Sequence, residues 1–570
     1  MDTGGEVALK HEDVDPLDVA VLKQRQNFRS LVCSSSFEIL QHIFHSYVGI
    51  DETHGFPLNL RNHRIPLPAL LSQVCTRWRE ACLSDCRLWS CIPFGLNQKW
   101  ASEFVARSGE SSLEISSFLD ANPLPLALVR GVMHRIRRLR VVGNLDELQD
   151  FCDAIANKPA PVLEYLFFRG YAAYNSNILM LHIPSTIFVH VAPRLRSAIV
   201  PQAHLEGFPM PAFTHLTSIH LYILTASDTV RLLQNSPHLK ELHCNTIRDC
   251  PLESTPNLLV EGERVHAPEL TTLVIRNIKL AGVISFFEAL DAPSLSELTL
   301  KCIEIKEEDV QRYATALPRV LSAHIKTLHH VQSPCDELKI DGDNSEYSTV
   351  ECCSTGSGEE RTEIWRDSGH ASASHLYLRW IATGGNGAFD TQSFLASLLR
   401  AFSAHDVRIL NLRDRHGHLG RSSGCLQAFP CVTLLHYSRS DTKEACRWDI
   451  FEAMTPMEQR IHTGQTSLLG GQTLFPLLTK LVIHDSFIPQ FGGVFLRVLR
   501  RLAQSRKHDG QLLEIAFEEC SYSAHVMAEL KKDAVITWNG AWCPPFSFGG
   551  IGEDPELENW EMWGSMFDEP

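Results

Sequence analysis

Past residue 120 one short alternation of apolar and polar positions keeps returning: a small or apolar residue, a proline, then L-x-x-L-x-L. It reads APVLEYLFF at 160–168, SPHLKELHC at 236–244, APELTTLVI at 267–275, APSLSELTL at 292–300, FPCVTLLHY at 429–437 and FPLLTKLVI at 475–483. Weaker copies are APRLRSAIV at 192–200, THLTSIHLY at 214–222 and DVRILNL at 406–412. The last two apolar positions of each copy are two apart, so their side chains share one face of a strand.

The stretches ahead of these strands change period. SDTVRLLQNS (227–236), AGVISFFEALD (281–291), DTQSFLASLLRAF (390–402) and GVFLRVLRRLAQ (493–504) carry apolar residues three and four apart. That spacing predicts amphipathic helices, each covering one face of a sheet. The prolines stand where a helix must stop and a strand begins. Near the start of the chain, Ile39, Leu40, Ile43, Phe44 and Val48 fall on one side of a helix that Ser34 to Ser36 can cap. Leu70, Leu71, Val74, Cys75 and Trp78 are again helically spaced, and Leu88-Trp89 follows a polar turn. Two or three short helices in so few residues have more apolar and aromatic surface than a unit of that size can bury.

Helix, turn and strand recur at 25 to 31 residues, as from Leu239 to Leu270 to Leu295. This is the leucine-rich-repeat pattern, with strands lining a concave face and helices a convex one. The match is irregular. Ile247, Ile278 and Ile303 occupy the place where that repeat has Asn or Cys, so its side-chain hydrogen bonds are missing. An ordinary α/β domain with buried strands is the alternative. A polar stretch, 341–374, breaks the array and reads as either an inserted hairpin or a loop.

E-I-L-x-x-I-F at 38–44, V-C-x-R-W-R-E at 74–80 and L-W at 88–89 resemble an F-box, with the closest likeness to the large F-box family of mushroom-forming fungi. One departure is plain: Ser35 and Ser36 stand where the family usually has Leu-Pro. The resemblance implies four segments: an acidic disordered end (1–33), a helical F-box (34–95), a leucine-rich-repeat-like solenoid (96–545) and an acidic tail (546–570). It also implies a non-catalytic receptor that joins a Skp-family adaptor, and through it a cullin, to a protein substrate for ubiquitin transfer. Ile39, Leu40, Ile43, Phe44, Leu70, Leu71, Val74, Cys75, Trp78, Leu88 and Trp89 would bind the adaptor. The outward strand positions would meet the substrate: Glu241, His243, Asn245, Thr272, Val274, Arg276, Glu297, Thr299, Lys301, Lys480, Val482 and His484. The other reading is a repeat scaffold whose F-box has decayed.

Charge and chemistry narrow the choice. The chain of 570 residues has 52 basic and 67 acidic side chains, a net charge of −15. Residues 1–20 carry six acids against Lys10, and 551–570 carry seven acids and no base, so the ends supply −12 and the body is near neutral. Such a field disfavours general nucleic-acid binding. The basic runs HRIRRLR (134–140) and RVLRRLAQSRKH (497–508) read as solvated faces, with a local site for an acidic partner as the alternative. The longest mostly apolar run, 178–192, is broken by Pro184 and His190, residues 1–15 are acidic and lack the basic-then-apolar pattern of a signal peptide, and no N-x-S/T sequon occurs. A cytoplasmic or nuclear protein is expected. The 17 cysteines include no C-x-x-C, and Cys75, Cys82, Cys86 and Cys91 lack the paired spacing of a zinc site, so neither metal nor cofactor is expected. No nucleophile elbow or phosphate loop is present.

Overall fold

The computed structural model describes most residues from 35 to 538. Residues 1–34, 54–65, 171–180, 246–263, 306–315, 325–336, 354–373, 383–397, 415–425, 439–450, 456–472, 485–491 and 539–570, with short stretches elsewhere, lie outside the description. The expectations for both acidic ends, for Ile247 and Ile278, and for most of helix 390–402 fall among them. The chain divides into two units, 1–221 and 222–570, each mixed α/β on a largely parallel sheet. No helix among the described residues is long and apolar enough to cross a membrane.

The first unit opens with helices α1 (Phe37–Thr53), α2 (Leu67–Leu71) and α3 (Thr76–Ser84) and a 3-10 turn, Cys86–Trp89. There follow β1 (Cys91–Ile92), α4 (Gln98–Arg107), β2 (Leu113–Phe118), α5 (Leu126–Val132), β3 (Ile136–Gly143), α6 (Leu145–Ala156) and β4 (Tyr165–Gly170). The unit ends with β5 (Leu181–Ile183), β6 (Ser197–Val200), β7 (Ala203–Leu205) and β8 (Ser218–Tyr222). Strands β1, β2, β3, β4, β6 and β8 pair in that order, all parallel, and β5 pairs with β7 separately. Ile92, Ile115, Leu139, Leu166, Ala198 and Ile219 share one register row, and all are fully buried. Helix α6 covers that face, with Phe151 edge-on to Phe168 at 6.0 Å. The opposite face carries the rows Glu114–Arg138–Tyr165–Ser197–Ser218 and Ser116–Arg140–Phe167–Ile199–His220, every member half-buried.

The second unit runs α7 (Ala226–Asn235), β9 (Glu241–Asn245), β10 (Val265–His266), β11 (Thr272–Arg276), α8 (Leu280–Ala289), β12 (Leu290–Asp291) and β13 (Glu297–Ile305). It continues as β14 (Glu337–Gly342), β15 (Tyr347–Cys353), β16 (Ser374–Ala382), β17 (Ile409–Asp414), β18 (Leu434–Ser438) and β19 (Lys480–His484). It closes with α9 (Gly492–His508), β20 (Glu514–Glu518), α10 (Ala524–Leu530) and β21 (Val535–Trp538). The helices read from 227–236, 281–291 and 493–504 are α7, α8 and α9.

Its main sheet is ordered β9-β11-β13-β16-β15-β14-β17-β18-β19-β20-β21. Leu242, Leu273 and Leu298 align at one end; Leu338, Leu410, Leu435, Leu481 and Ile515 align at the other, all fully buried. Each such side chain contributes roughly 1.5–3 kcal/mol by leaving water. Among the described strands of this sheet only β15 runs antiparallel to its neighbours. The polar stretch at 341–374 contains it: Gly342 faces Ser348 across a hairpin, and the chain returns along β16 to pair with β13.

The proline motif has a local cause. In six copies the leucine two residues after the proline donates its N–H to the carbonyl just before that proline: Leu163 to Ala160, Leu195 to Ala192, Leu239 to Ser236, Leu270 to Ala267, Leu295 to Ala292 and Leu478 to Phe475, at 3.0–3.3 Å. Proline's fixed φ suits the second position of such a turn, and the turn drops the leucine into the core. A second device ties the strands together. Hydroxyls of Thr217, Thr271, Ser296, Thr433 and Thr479 reach back to a carbonyl just before the neighbouring strand, at 3.0–3.4 Å.

Candidate functional site

Helices α1, α2 and α3 with the following 3-10 turn sort the adaptor-site residues into two groups. Leu40, Phe44, Leu88 and Trp89 are buried. Phe44 stands edge-on to Trp78 at 4.9 Å, Trp89 edge-on to Phe104 at 5.1 Å, and Trp89 Nε1 donates to the Cys82 carbonyl at 2.8 Å. These side chains hold the helices together and are closed to a partner. Leu71, Cys75 and Trp78 are half-buried, and the Trp78 indole nitrogen is buried without a hydrogen-bond partner among the described residues.

Ile39, Ile43, Leu70 and Val74 are exposed, between 38 and 55%. Tyr47 extends the row, so Ile39, Ile43 and Tyr47 make an exposed stripe at i, i+4 and i+8 that flanks the buried row of Leu40 and Phe44. Helix α1 is thus apolar over a wide arc, of which the Leu40–Phe44 part is buried and the Ile39–Tyr47 part exposed. Phe37 and Leu83 are exposed as well. Tyr47 could have been found in the sequence, since it continues the four-residue spacing; Phe37 and Leu83 carried no such signal.

The spacing from Leu70 to Trp78 is not one helix. Helix α2 ends at Leu71, Gln73 and Val74 bond back three residues, and Cys75 is extended (φ −157°, ψ 170°) before α3 begins. That break places Val74 on an exposed turn.

Polar contacts lock the cluster. Ser36 Oγ accepts from the Ile39 amide at 3.4 Å, capping α1. Arg77 donates to the Ser35 carbonyl from Nε at 3.1 Å and Nη2 at 2.6 Å. Gln41 Nε2 reaches the Ala81 carbonyl and Ser84 Oγ on α3. The buried carboxylate of Asp85 meets His45 Nε2 at 2.8 Å and takes two bonds from the Arg87 side chain. Burial alone would raise the Asp85 carboxyl, but hydrogen bonds from Arg87 and His45 outweigh it and hold it below its ordinary value. Cys82 is buried, its thiol pushed up to about 11 by burial and by the Asp85 charge, so it packs as a protonated hydrophobe.

The substrate-site residues lie on the second unit's sheet, on the face opposite the leucine rows. Glu241–Thr272–Glu297, His243–Val274–Thr299 and Asn245–Arg276–Lys301 are register rows across β9, β11 and β13. Val274 and Thr299 are buried, and Val482 is only 2% exposed. These three were expected to face a ligand and do not. Around Val482 the same row holds Lys339, Asn411 and Ala516, also buried, so this part of the face is closed. Lys480 is paired with Glu514 at 2.7 Å. His484 lies between Glu518, 3.1 Å from Nδ1, and His436, 2.9 Å from Nε2. Burial, then the charges of His484, Lys480 and Lys339, push His436 down to about 4.

No protein-family model matches the chain, and no curated protein matches it.

Proposed function

We propose that this protein is the substrate-recognition subunit of a Skp–cullin–F-box ubiquitin ligase, acting in the cytoplasm or nucleus. The helices from Phe37 to Trp89 dock on the adaptor, and leucine-rich-repeat-like units, stacked as a solenoid, hold the protein substrate. The chain needs no catalytic group, because ubiquitin transfer belongs to other subunits. The observation that carries this reading is the exposed stripe Ile39–Ile43–Tyr47, with the exposed Leu70 and Val74 on the elements beside it. Exposed aliphatic and aromatic side chains in one place mark an interface. Ser36 as helix cap and Arg77 on the Ser35 carbonyl also supply an ordered start to α1 where the family has Leu-Pro, which favours a working motif over a decayed one.

Co-expression with a Skp-family adaptor tests it. The full chain should retain the adaptor through purification. The variant Ile39→Asp/Ile43→Asp/Val74→Asp should lose it while keeping its melting temperature, because all three side chains are exposed. Failure of the wild type to retain the adaptor, or retention undiminished by the triple change, would overturn the assignment. Phe44→Ala is the wrong probe: that ring is 1% exposed, and its loss unfolds the cluster at a cost of about 3–5 kcal/mol.

A further inference from the structure

The basic run at 134–140 is more than a solvated strand. Register shifts between Leu113–Ile136 and Glu114–Arg138, leaving Arg137 as the extra residue of a bulge. A bulge re-aims the side chains that follow it. Arg137 pairs with Glu164 at 2.8 Å, whereas Arg138 and Arg140 both come to the sheet face opposite α6. There the two guanidinium carbons lie 5.9 and 5.3 Å from the Tyr165 ring centre. Stacking on an aromatic face orients a guanidinium while its N–H edges stay free to bind a carboxylate. Arg138 has Glu114 at 3.8 Å; among the described residues no carboxylate pairs with Arg140. Beside Arg140 in its row stand Phe167 and Ile199, half-buried and apolar.

The two register rows of this face therefore contain two arginines and one acid, in a chain whose net charge is −15. Unlike the closed row around Val482, every side chain in them is partly open.

We propose that the face centred on Arg138, Arg140 and Tyr165 binds an acidic peptide segment of the protein substrate, one that also carries apolar residues for Phe167 and Ile199. The proposal rests on the receptor reading for the word "substrate", but the site stands on its own chemistry. Carboxylates recognise the two oriented guanidinium groups by charge-assisted hydrogen bonds. A nucleic acid fits worse, because the face holds too few cations to neutralise a run of phosphates.

The test uses the full chain and a fluorescently labelled random copolymer of Glu and Tyr, followed by anisotropy. The wild type should bind it, more weakly as salt rises. Arg140→Glu should weaken binding at least roughly tenfold and Arg138→Glu/Arg140→Glu further. Arg140→Lys should lie between, since it keeps the charge but loses the planar fork. Melting temperature and adaptor recovery serve as controls for folding. No binding by the wild type, or equal binding by the double variant, overturns the site. Binding only after deletion of residues 1–33 would assign the face to the chain's own acidic end and overturn the substrate claim. Equal, arginine-dependent binding of a single-stranded oligonucleotide would replace the peptide with a general polyanion and overturn it too. Arginine-dependent copolymer binding without adaptor recovery would keep the site and sink the receptor assignment instead.

Discussion

Arg77 holds the carbonyl oxygen of Ser35 with two donors, Nε at 3.1 Å and Nη2 at 2.6 Å, and its guanidinium lies 5.1 Å from the Phe37 ring centre. Forty-two residues apart in sequence, they fasten the start of α1 to α3. The clamp fixes where the stripe from Ile39 to Tyr47 begins. Arg77→Met should lower stability by about 1–2 kcal/mol, as loss of a hydrogen bond to a charged group does. Adaptor affinity should fall with it, and Arg77→Lys, with one donor direction instead of a fork, should fall between. Urea unfolding together with adaptor titration checks this. An Arg77→Met chain that unfolds like the wild type would mean that Ser36 capping alone suffices.

Asp85 makes the same cluster sensitive to acid. Its folded-state carboxyl is held below its ordinary value of 3.8, with Arg87 and His45 as partners. A depressed acid adds stability above the unfolded pKa and loses it as pH falls through the folded one. Asp85→Asn should therefore cost about 1–3 kcal/mol at neutral pH. The gap between wild type and variant should close as pH drops below about 4. Unfolding midpoints across that range decide it; a gap that stays constant would mean that Asp85 acts by shape and not by charge.

The helices and strands could be read from the sequence wherever an element buries one face, because periods of two and of three to four are then imposed by the core. The prolines of 161, 268 and 293 marked the turns for the same reason. What periodicity could not reach were contacts made across the sequence. The break at Cys75 leaves Leu70 and Trp78 at helical spacing although they stand on different helices. Which alternate face of the sheet is open also escaped it: Val482 and Phe167 both occupy outward strand positions, yet only Phe167 is partly exposed. Burial on that face depends on what lies over it, which a strand's own pattern does not record.

Arg506 is the clearest case of such a contact. It belongs to the run 497–508, which reads as a solvated helix face, yet it is 4% exposed. Its Nη1 donates to the Pro476 carbonyl at 2.7 Å and its Nη2 to those of Phe475 at 2.9 Å, Leu474 at 3.3 Å and Met454 at 3.5 Å. Phe475 has φ of 48°, a conformation that its side chain disfavours, and Arg506 binds the carbonyls around it. Arg506→Met should strand these carbonyls in the interior and destabilise the second unit by about 3 kcal/mol. Arg506→Lys should recover little, having no planar fork to spread over them. Arg501→Met, at a half-buried position two turns from the helix end, is the matched control and should change stability by less than about 1 kcal/mol. Hydrogen exchange at Leu478 and Leu481 gives the local readout.

The turn from Pro184 to Val191 stores strain that can be relieved without touching the core. Phe188, Val189 and His190 have φ of 58, 51 and 62°, three successive left-handed residues with no glycine. Phe188 is fully buried and anchors the turn, and the Val189 and Val191 amides bond back to Thr186 and Phe188 at 2.9 and 2.8 Å. Left-handed backbone costs roughly 1–2 kcal/mol per residue, and a β-branched side chain tolerates it least. Val189 is 46% exposed, so replacing it removes little buried surface. Val189→Asn should therefore raise stability by about 1 kcal/mol, since asparagine enters this region more readily. Val189→Gly should gain less, because the unfolded chain gains freedom at the same time. Phe188→Ala should lose about 3–5 kcal/mol by emptying the anchor. If Val189→Asn lowers the unfolding midpoint instead, the valine makes contacts that outweigh its backbone strain, and the turn is held by packing on both of its sides.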